Sequence, residues 1–138
     1  MHPNKNPVRT ATREALLDRL AEFDPVVEVG VGDRPAVARG LASRGIDVTV
    51  TDVRDCRLPG LDFVRDDVFD PELAVYEDAE ALYALNLPPD LHGAVARLGG
   101  RIDSAVFFTT LGADPATVPV RRERLPGETL FVHDAQRA

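Results

Sequence analysis

Between Arg9 and Phe23 the apolar residues Ala11, Ala15, Leu16, Leu20 and Phe23 recur at helical spacing, which predicts one amphipathic helix over about 9–23. Thr10 or Thr12 is available to cap it, and Asp24-Pro25 turns the chain afterwards. Val26 to Val29 is β-branched apart from Glu28 and runs into Gly30-Val31-Gly32-Asp33, so the pattern reads strand, glycine loop (30–33), then helix. That helix is expected from about Arg34 to Arg44, burying Val37 and Leu41, with Gly45 as its stop. A second strand follows over Asp47 to Thr51. Val53 to Leu61 holds Pro59-Gly60 and no helical period, so the crossover helix expected there is missing or reduced to a turn. Further along, the pattern gives a strand at Leu61 to Arg65, a short helix at Pro71 to Tyr76 and a strand at Ala79 to Leu85. Pro88 to Leu98 reads as a helix ended by Gly99-Gly100, Ser104 to Thr109 as a fifth strand, Arg121 to Gly127 as a polar segment, and Thr129 to His133 as a last short strand. Strands alternating with helices in short order predict an α/β fold, a single Rossmann-like domain over 1–138 with a mainly parallel, three-layer sheet of five or six strands.

Composition narrows the partners. The 138 residues hold 23 acidic against 16 basic side chains, a net charge of −7. A nucleic-acid partner is therefore disfavoured, because such binding normally starts from a basic face. All basic residues but Lys5 are arginine, and an acidic, lysine-poor chain resembles the cytosolic proteins of salt-accumulating halophiles, although high genomic GC content favours the same bias. At molar salt charge is screened within a few ångströms, so nucleic acid is not excluded on this ground. No apolar run approaches the roughly 18 residues that span a bilayer, and Met1 to Pro7 lacks the apolar core of a signal peptide. A cytoplasmic location is expected. Cys56 is the only cysteine, which leaves no intrachain disulfide and no cysteine-based zinc site.

The strongest local signal is Val27-Glu28-Val29-Gly30-Val31-Gly32, after a predicted strand and before a helix, with Asp52 twenty residues beyond Gly32 at the end of the next strand. Glycines there let the backbone turn sharply and approach a ligand, while the following helix start offers unpaired amides. An acid at the tip of the second strand can accept both ribose hydroxyls. NAD-binding and S-adenosylmethionine (SAM)-binding domains share these features. A dinucleotide fingerprint places a third small residue where this chain has Pro35, which counts against NAD.

Glu28, two residues before the first glycine, resembles the acid of the Glu/Asp-x-Gly-x-Gly motif in class I methyltransferases. That resemblance implies that Glu28, Gly30 and Gly32 surround the methionine and ribose of SAM and that Asp52 holds the ribose. It also implies that Asp67, or alternatively Asp66, in Val64-Arg65-Asp66-Asp67-Val68 meets the adenine amino group. Asn86-Leu87-Pro88-Pro89 falls where such enzymes place substrate groups and loosely resembles the Asn-Pro-Pro motif of amino-group methyltransferases, which would make Asn86 a catalytic candidate over a substrate that also meets Thr109. More closely, the chain resembles an uncharacterised archaeal protein family of short, methyltransferase-like Rossmann domains. The shared pattern is Val-Glu-Val-Gly-x-Gly, Thr-Asp, Val-Arg-Asp-Asp and a Pro-Pro pair. Where members of that family carry a basic residue before the prolines and Lys-Pro after the fifth strand, this chain has Leu87 and Thr109-Thr110, a departure that bears on catalysis more than on cofactor binding. The function implied is a SAM-binding, methyltransferase-like protein; the alternative is a non-catalytic nucleotide-binding module for SAM, NAD or adenosine.

Each residue also has a structural reading. The glycines alone can make a tight turn, Glu28 can be a salt-bridged strand end, and Asp66 and Asp67 can start a turn or cap a helix. Pro88-Pro89 commonly just opens a helix. His92 and His133 have no partner at metal-ligand spacing and read as surface histidines. Arg54 and Arg57 flank Cys56 and predict a lowered thiol pKa without assigning it a role. Arg121, Arg122 and Arg124 read as a solvated loop.

Overall fold

A computed structural model describes residues 7–134. The segment read above for a targeting signal and the ends of the 1–138 domain assignment therefore lie outside the described residues. The chain runs α1 (Pro7–Leu20), β1 (Val26–Val29), α2 (Ala36–Ser43), β2 (Val48–Asp52) and β3 (Asp62–Arg65), then a 3-10 turn at Leu73–Val75. It continues through β4 (Ala81–Ala84), α3 (Pro89–Ile102), β5 (Ala105–Phe108), β6 (Arg121–Leu125) and β7 (Glu128–His133). All seven strands form one sheet in the order β3-β2-β1-β4-β5-β7-β6. Strands β1 to β5 are mutually parallel, whereas β7 lies antiparallel between β5 and β6.

Two apolar layers sandwich the sheet, as the three-layer expectation required. On one face Leu16, Leu17 and Leu20 of α1 and Val37, Ala38 and Leu41 of α2 pack on Val26, Val50 and Tyr83. On the other, Ala94, Val95 and Leu98 of α3 pack on Val27, Val29, Leu82 and Phe108. Neighbouring residues of β1 and β4 thus serve opposite cores, as the two-residue period of a strand demands. Because β1 hands the chain to α2 on one face and β4 hands it to α3 on the other, the strand order reverses between them. A crevice opens at that switch point, beyond the carboxyl ends of the strands.

Several boundaries differ from the sequence expectation. The first helix begins and ends earlier, and Phe23 packs on Phe107 from outside it, the ring centres 5.2 Å apart. No helix forms between β2 and β3, as expected, whereas the expected 71–76 helix is a single 3-10 turn. Gly99-Gly100 do not end α3, which continues to Ile102 and stops at Asp103 in the left-handed region. Gly99 is small because of packing: a Cβ there would meet Val106 Cγ2 at 2.5 Å and the Ser104 carbonyl at 2.9 Å. Arg121 to Leu125 is a strand rather than a solvated loop, giving seven strands in place of five or six. Its alternation places Glu123 toward α1, where Arg19 grips both carboxylate oxygens at 2.8 and 3.0 Å, while Arg122 lies over Phe131. Edge position explains why so polar a sequence can be a strand.

Candidate functional site

The glycine loop closes β1 with an abrupt change of conformation. Gly30 and Gly32 have φ of +76° and +57°, values that any other residue type adopts only at a cost. The Gly30 and Val31 amides both donate to the Thr51 carbonyl at 2.9 Å, so the turn stays anchored to β2. A Cβ on Gly30 would meet no protein atom within 4 Å. The loop therefore presents bare backbone to open space.

That space is a cleft of about 990 Å³ at the switch point. Its base includes Glu28, Gly30, Gly32 and Asn86, four residues singled out by sequence. Glu28 is 1% exposed and its Oε1 has no hydrogen-bond partner among the described residues. Burial raises the carboxyl from 4.5 to about 7; the Tyr83 hydroxyl opposes the rise and the charge of Asp52 adds to it. Tyr83 stands opposite Glu28 in the β1–β4 register and its hydroxyl also lacks a partner in hydrogen-bonding geometry. A buried carboxyl facing a cleft without a cation is costly unless something else meets it.

Asp52, at the tip of β2, is tied to the loop it faces. Its Oδ2 accepts from the Gly32 amide at 2.8 Å and its Oδ1 from the Arg54 amide at 3.0 Å, with Arg54 Nε at 3.5 Å. An ionised carboxylate has about four acceptor sites, so these bonds leave capacity for a ligand. Asn86 lies at the exit of β4 with φ +53° and is exposed. The Thr109 hydroxyl accepts from its amide at 2.8 Å, while the Leu87 amide donates to the Thr109 carbonyl. Thr109 thus holds the Asn86 backbone in its unusual conformation, and Asn86 borders the cleft.

Of the site residues expected from sequence, Glu28, Gly30, Gly32 and Asn86 border the cleft, whereas Asp52, Asp66 and Asp67 lie off its lining. Asp66 accepts from the Tyr76 hydroxyl at 2.5 Å and the Glu72 amide at 3.2 Å; burial first and Asp66 next raise the Tyr76 hydroxyl. Asp67 is exposed, and its Oδ1 accepts from the Phe69 amide in a local turn. Between the two alternatives, the carboxylate of Asp66 is committed to the fold and that of Asp67 keeps an oxygen to spare.

Other expectations need correction. His92 is 1% exposed rather than on the surface: its Nε2 donates to the Leu87 carbonyl at 3.0 Å and its Nδ1 accepts from the Thr117 amide at 3.1 Å. It is a structural pin between α3 and the 110–118 segment. His133 Nδ1 meets the Pro119 carbonyl. The Cys56 thiol is raised, not lowered, because burial and the charge of Asp52 outweigh Arg54. No group of three or more metal-ligating side chains occurs among the described residues, and none of their helices is long and apolar enough to cross a membrane.

Sequence reasoning missed the far wall. Arg9, Thr12 and Arg13 of α1 line the cleft, facing Gly127 and Glu128 of the β6–β7 turn. The Thr12 hydroxyl donates to the Pro126 carbonyl, joining the two walls. The helical spacing of Arg9 and Arg13 was readable; which side of the sheet they would reach was not.

A family model described as an uncharacterised protein family, UPF0146, matches residues 13–135. A Halobacterium salinarum protein bearing that family name is 53% identical over 115 residues, 82% of this chain and 89% of its own length. Among solved structures, a Salinibacter ruber RNA methyltransferase in complex with S-adenosyl-L-homocysteine (SAH) superposes with a TM-score of 0.60 at 16% identity, over 96% of this chain and 93% of that one. A putative methylase from Haemophilus influenzae gives 0.61 at 11% identity, over 93% and 98%. Likeness at that level is a likeness of fold.

Proposed function

The chain belongs to the UPF0146 family, and from that premise we propose that it binds SAM across the tips of β1, β2 and β4 as a methyltransferase-like protein. The observation that carries the reading is the buried carboxyl of Glu28 on the cleft lining, which has the Tyr83 hydroxyl beside it and no cation. A ligand with an ammonium group supplies the counter-charge that this carboxyl lacks. NAD carries no such group.

The residues fit the remaining parts of the ligand. The bare backbone of Gly30 leaves room for close approach, and Asp52 keeps an acceptor site for a ribose hydroxyl. Asp67 is the acid free to meet the adenine amino group, since Asp66 is held by Tyr76. Val53 and Phe69, which follow Asp52 and Asp67 by one and two residues, are 54% and 60% exposed and offer apolar surface to a purine. When bound, SAM supplies a methyl group already activated on a sulfonium. The work left to the chain is to hold an acceptor in line with it, and Asn86 is the group placed to do so.

A second reading is a nucleotide-binding regulatory module without catalysis. It is favoured by Leu87, 3% exposed, where a basic residue would otherwise stand at the exit of β4. Calorimetric titration of the protein with SAM, SAH and NAD, repeated on Asp52→Ala, tests the ligand class. Micromolar binding of SAM and SAH that the substitution abolishes is expected. Binding of NAD alone, or of none of the three to folded protein, refutes it. A methyl-transfer assay on protein that binds SAM then separates the enzyme from the regulator.

A further inference from the structure

The cleft is larger at its mouth than the ligand proposed above requires. Its volume of about 990 Å³ stands at the upper end of the roughly 300–1,000 Å³ range of small-molecule sites. An adenosyl ligand held by Asp52 places only its amino-acid end among these walls. Space therefore remains between α1, the β6–β7 turn and the exit of β4.

Three arginines border that space: Arg9 and Arg13 from α1 and Arg34 from the end of the glycine loop. Arg9 and Arg13 are four apart, so they lie one above the other on a single helix face. Acidic residues outnumber basic ones 23 to 16 in this chain, so carboxylates are in excess. Arg19, Arg44, Arg54 and Arg121 each hold a carboxylate. The side chains of Arg13 and Arg34, both exposed, make no hydrogen bond or ion pair among the described residues. Asp33 and Glu128 also border the cleft, yet neither pairs with them. The Thr12–Pro126 hydrogen bond joins α1, which carries Arg13, to the β6–β7 turn.

We propose that Arg13 and Arg34 form a subsite for the oxyanion of a second small molecule, a phosphate monoester or a carboxylate, beside the adenosyl ligand. This rests on the SAM reading for its meaning as an acceptor site. Guanidinium groups suit both oxyanions, since their planar N–H pairs match two oxygens at once. Two arginines on one cleft in a chain of charge −7 suit a compact anion better than a polynucleotide, which needs a basic track.

The test follows the arginine Nε–H resonances by NMR while methyl phosphate or acetate is added to SAH-loaded protein at low ionic strength, where screening is least. Saturable shifts of Arg13 and Arg34 with one or both probes are expected, and the stronger probe identifies the oxyanion. In Arg13→Gln/Arg34→Gln the probe should bind about tenfold more weakly, with SAH affinity unchanged. Absence of saturable shifts overturns the subsite. Weaker SAH binding by the variant with adenosine binding intact also overturns it, by assigning the arginines to the amino-acid carboxylate of the cofactor. If wild-type protein does not bind SAH, the SAM reading fails separately; the probes are then titrated into the free protein, where the same shifts sustain an anion site and their absence refutes it.

Discussion

Replacing Glu28 by glutamine isolates the electrostatic cost built into the base of the cleft. Burial lifts this carboxyl from 4.5 to about 7, so the folded state binds its proton more tightly than the unfolded state. At about 1.4 kcal/mol per pH unit, the difference amounts to about 3 kcal/mol. The sign is fixed by linkage: below about pH 4.5 both states carry the proton and the penalty vanishes; as pH rises toward 7 the unfolded chain ionises first, and stability falls. Above about 7 the full penalty is present. Glutamine has the same shape and cannot ionise. Urea unfolding of both proteins at constant KCl, at pH 4.5, 6 and 8, should show Glu28→Gln gaining on wild type by about 3 kcal/mol across that range. A difference that stays flat with pH refutes the reasoning, because the carboxyl would then titrate alike in both states. The same linkage predicts that SAH, whose ammonium needs the ionised carboxylate, binds up to about tenfold more tightly per pH unit between 5 and 7, and that Glu28→Gln removes this dependence.

Other expectations follow from particular contacts. Gly99→Ala drives a Cβ against Val106 and the Ser104 carbonyl and should cost about 1–3 kcal/mol in urea unfolding. Gly30→Ala, at φ +76°, should cost about 1–2 kcal/mol of stability and abolish SAH binding in calorimetry, because the new methyl group points into the cleft. In a double-mutant cycle, Arg19→Met and Glu123→Gln should couple by about 1 kcal/mol, a value that shrinks with added KCl.

The strand-loop-helix unit from Val26 to Leu41 was legible because three independent signals agree there: β-branched residues, paired glycines and the recovery of helical spacing. Glu28 and Asp52 were legible from their distances to Gly30 and Gly32, since the register of two adjacent parallel strands places both at the same end of the sheet. β6 was not legible. Its arginines and glutamate look like loop until the sheet edge and Arg19 give each face a use. Gly99-Gly100 misled for the opposite reason, because helix-breaking propensity yielded to the close approach of α3 to β5. The α1 wall of the cleft escaped for a third reason: helical spacing says which residues share a face, and only tertiary packing says what that face meets.

A crystal structure of the protein grown with SAH tests most directly whether the strand tips hold an adenosyl ligand with its amino group on Glu28 and its ribose on Asp52. The amino nitrogen is expected within hydrogen-bonding distance of the Glu28 carboxylate and a ribose hydroxyl on the Asp52 carboxylate, with Asp67 toward the adenine. Density for SAH elsewhere, or a cleft left empty at saturating SAH, would contradict that placement.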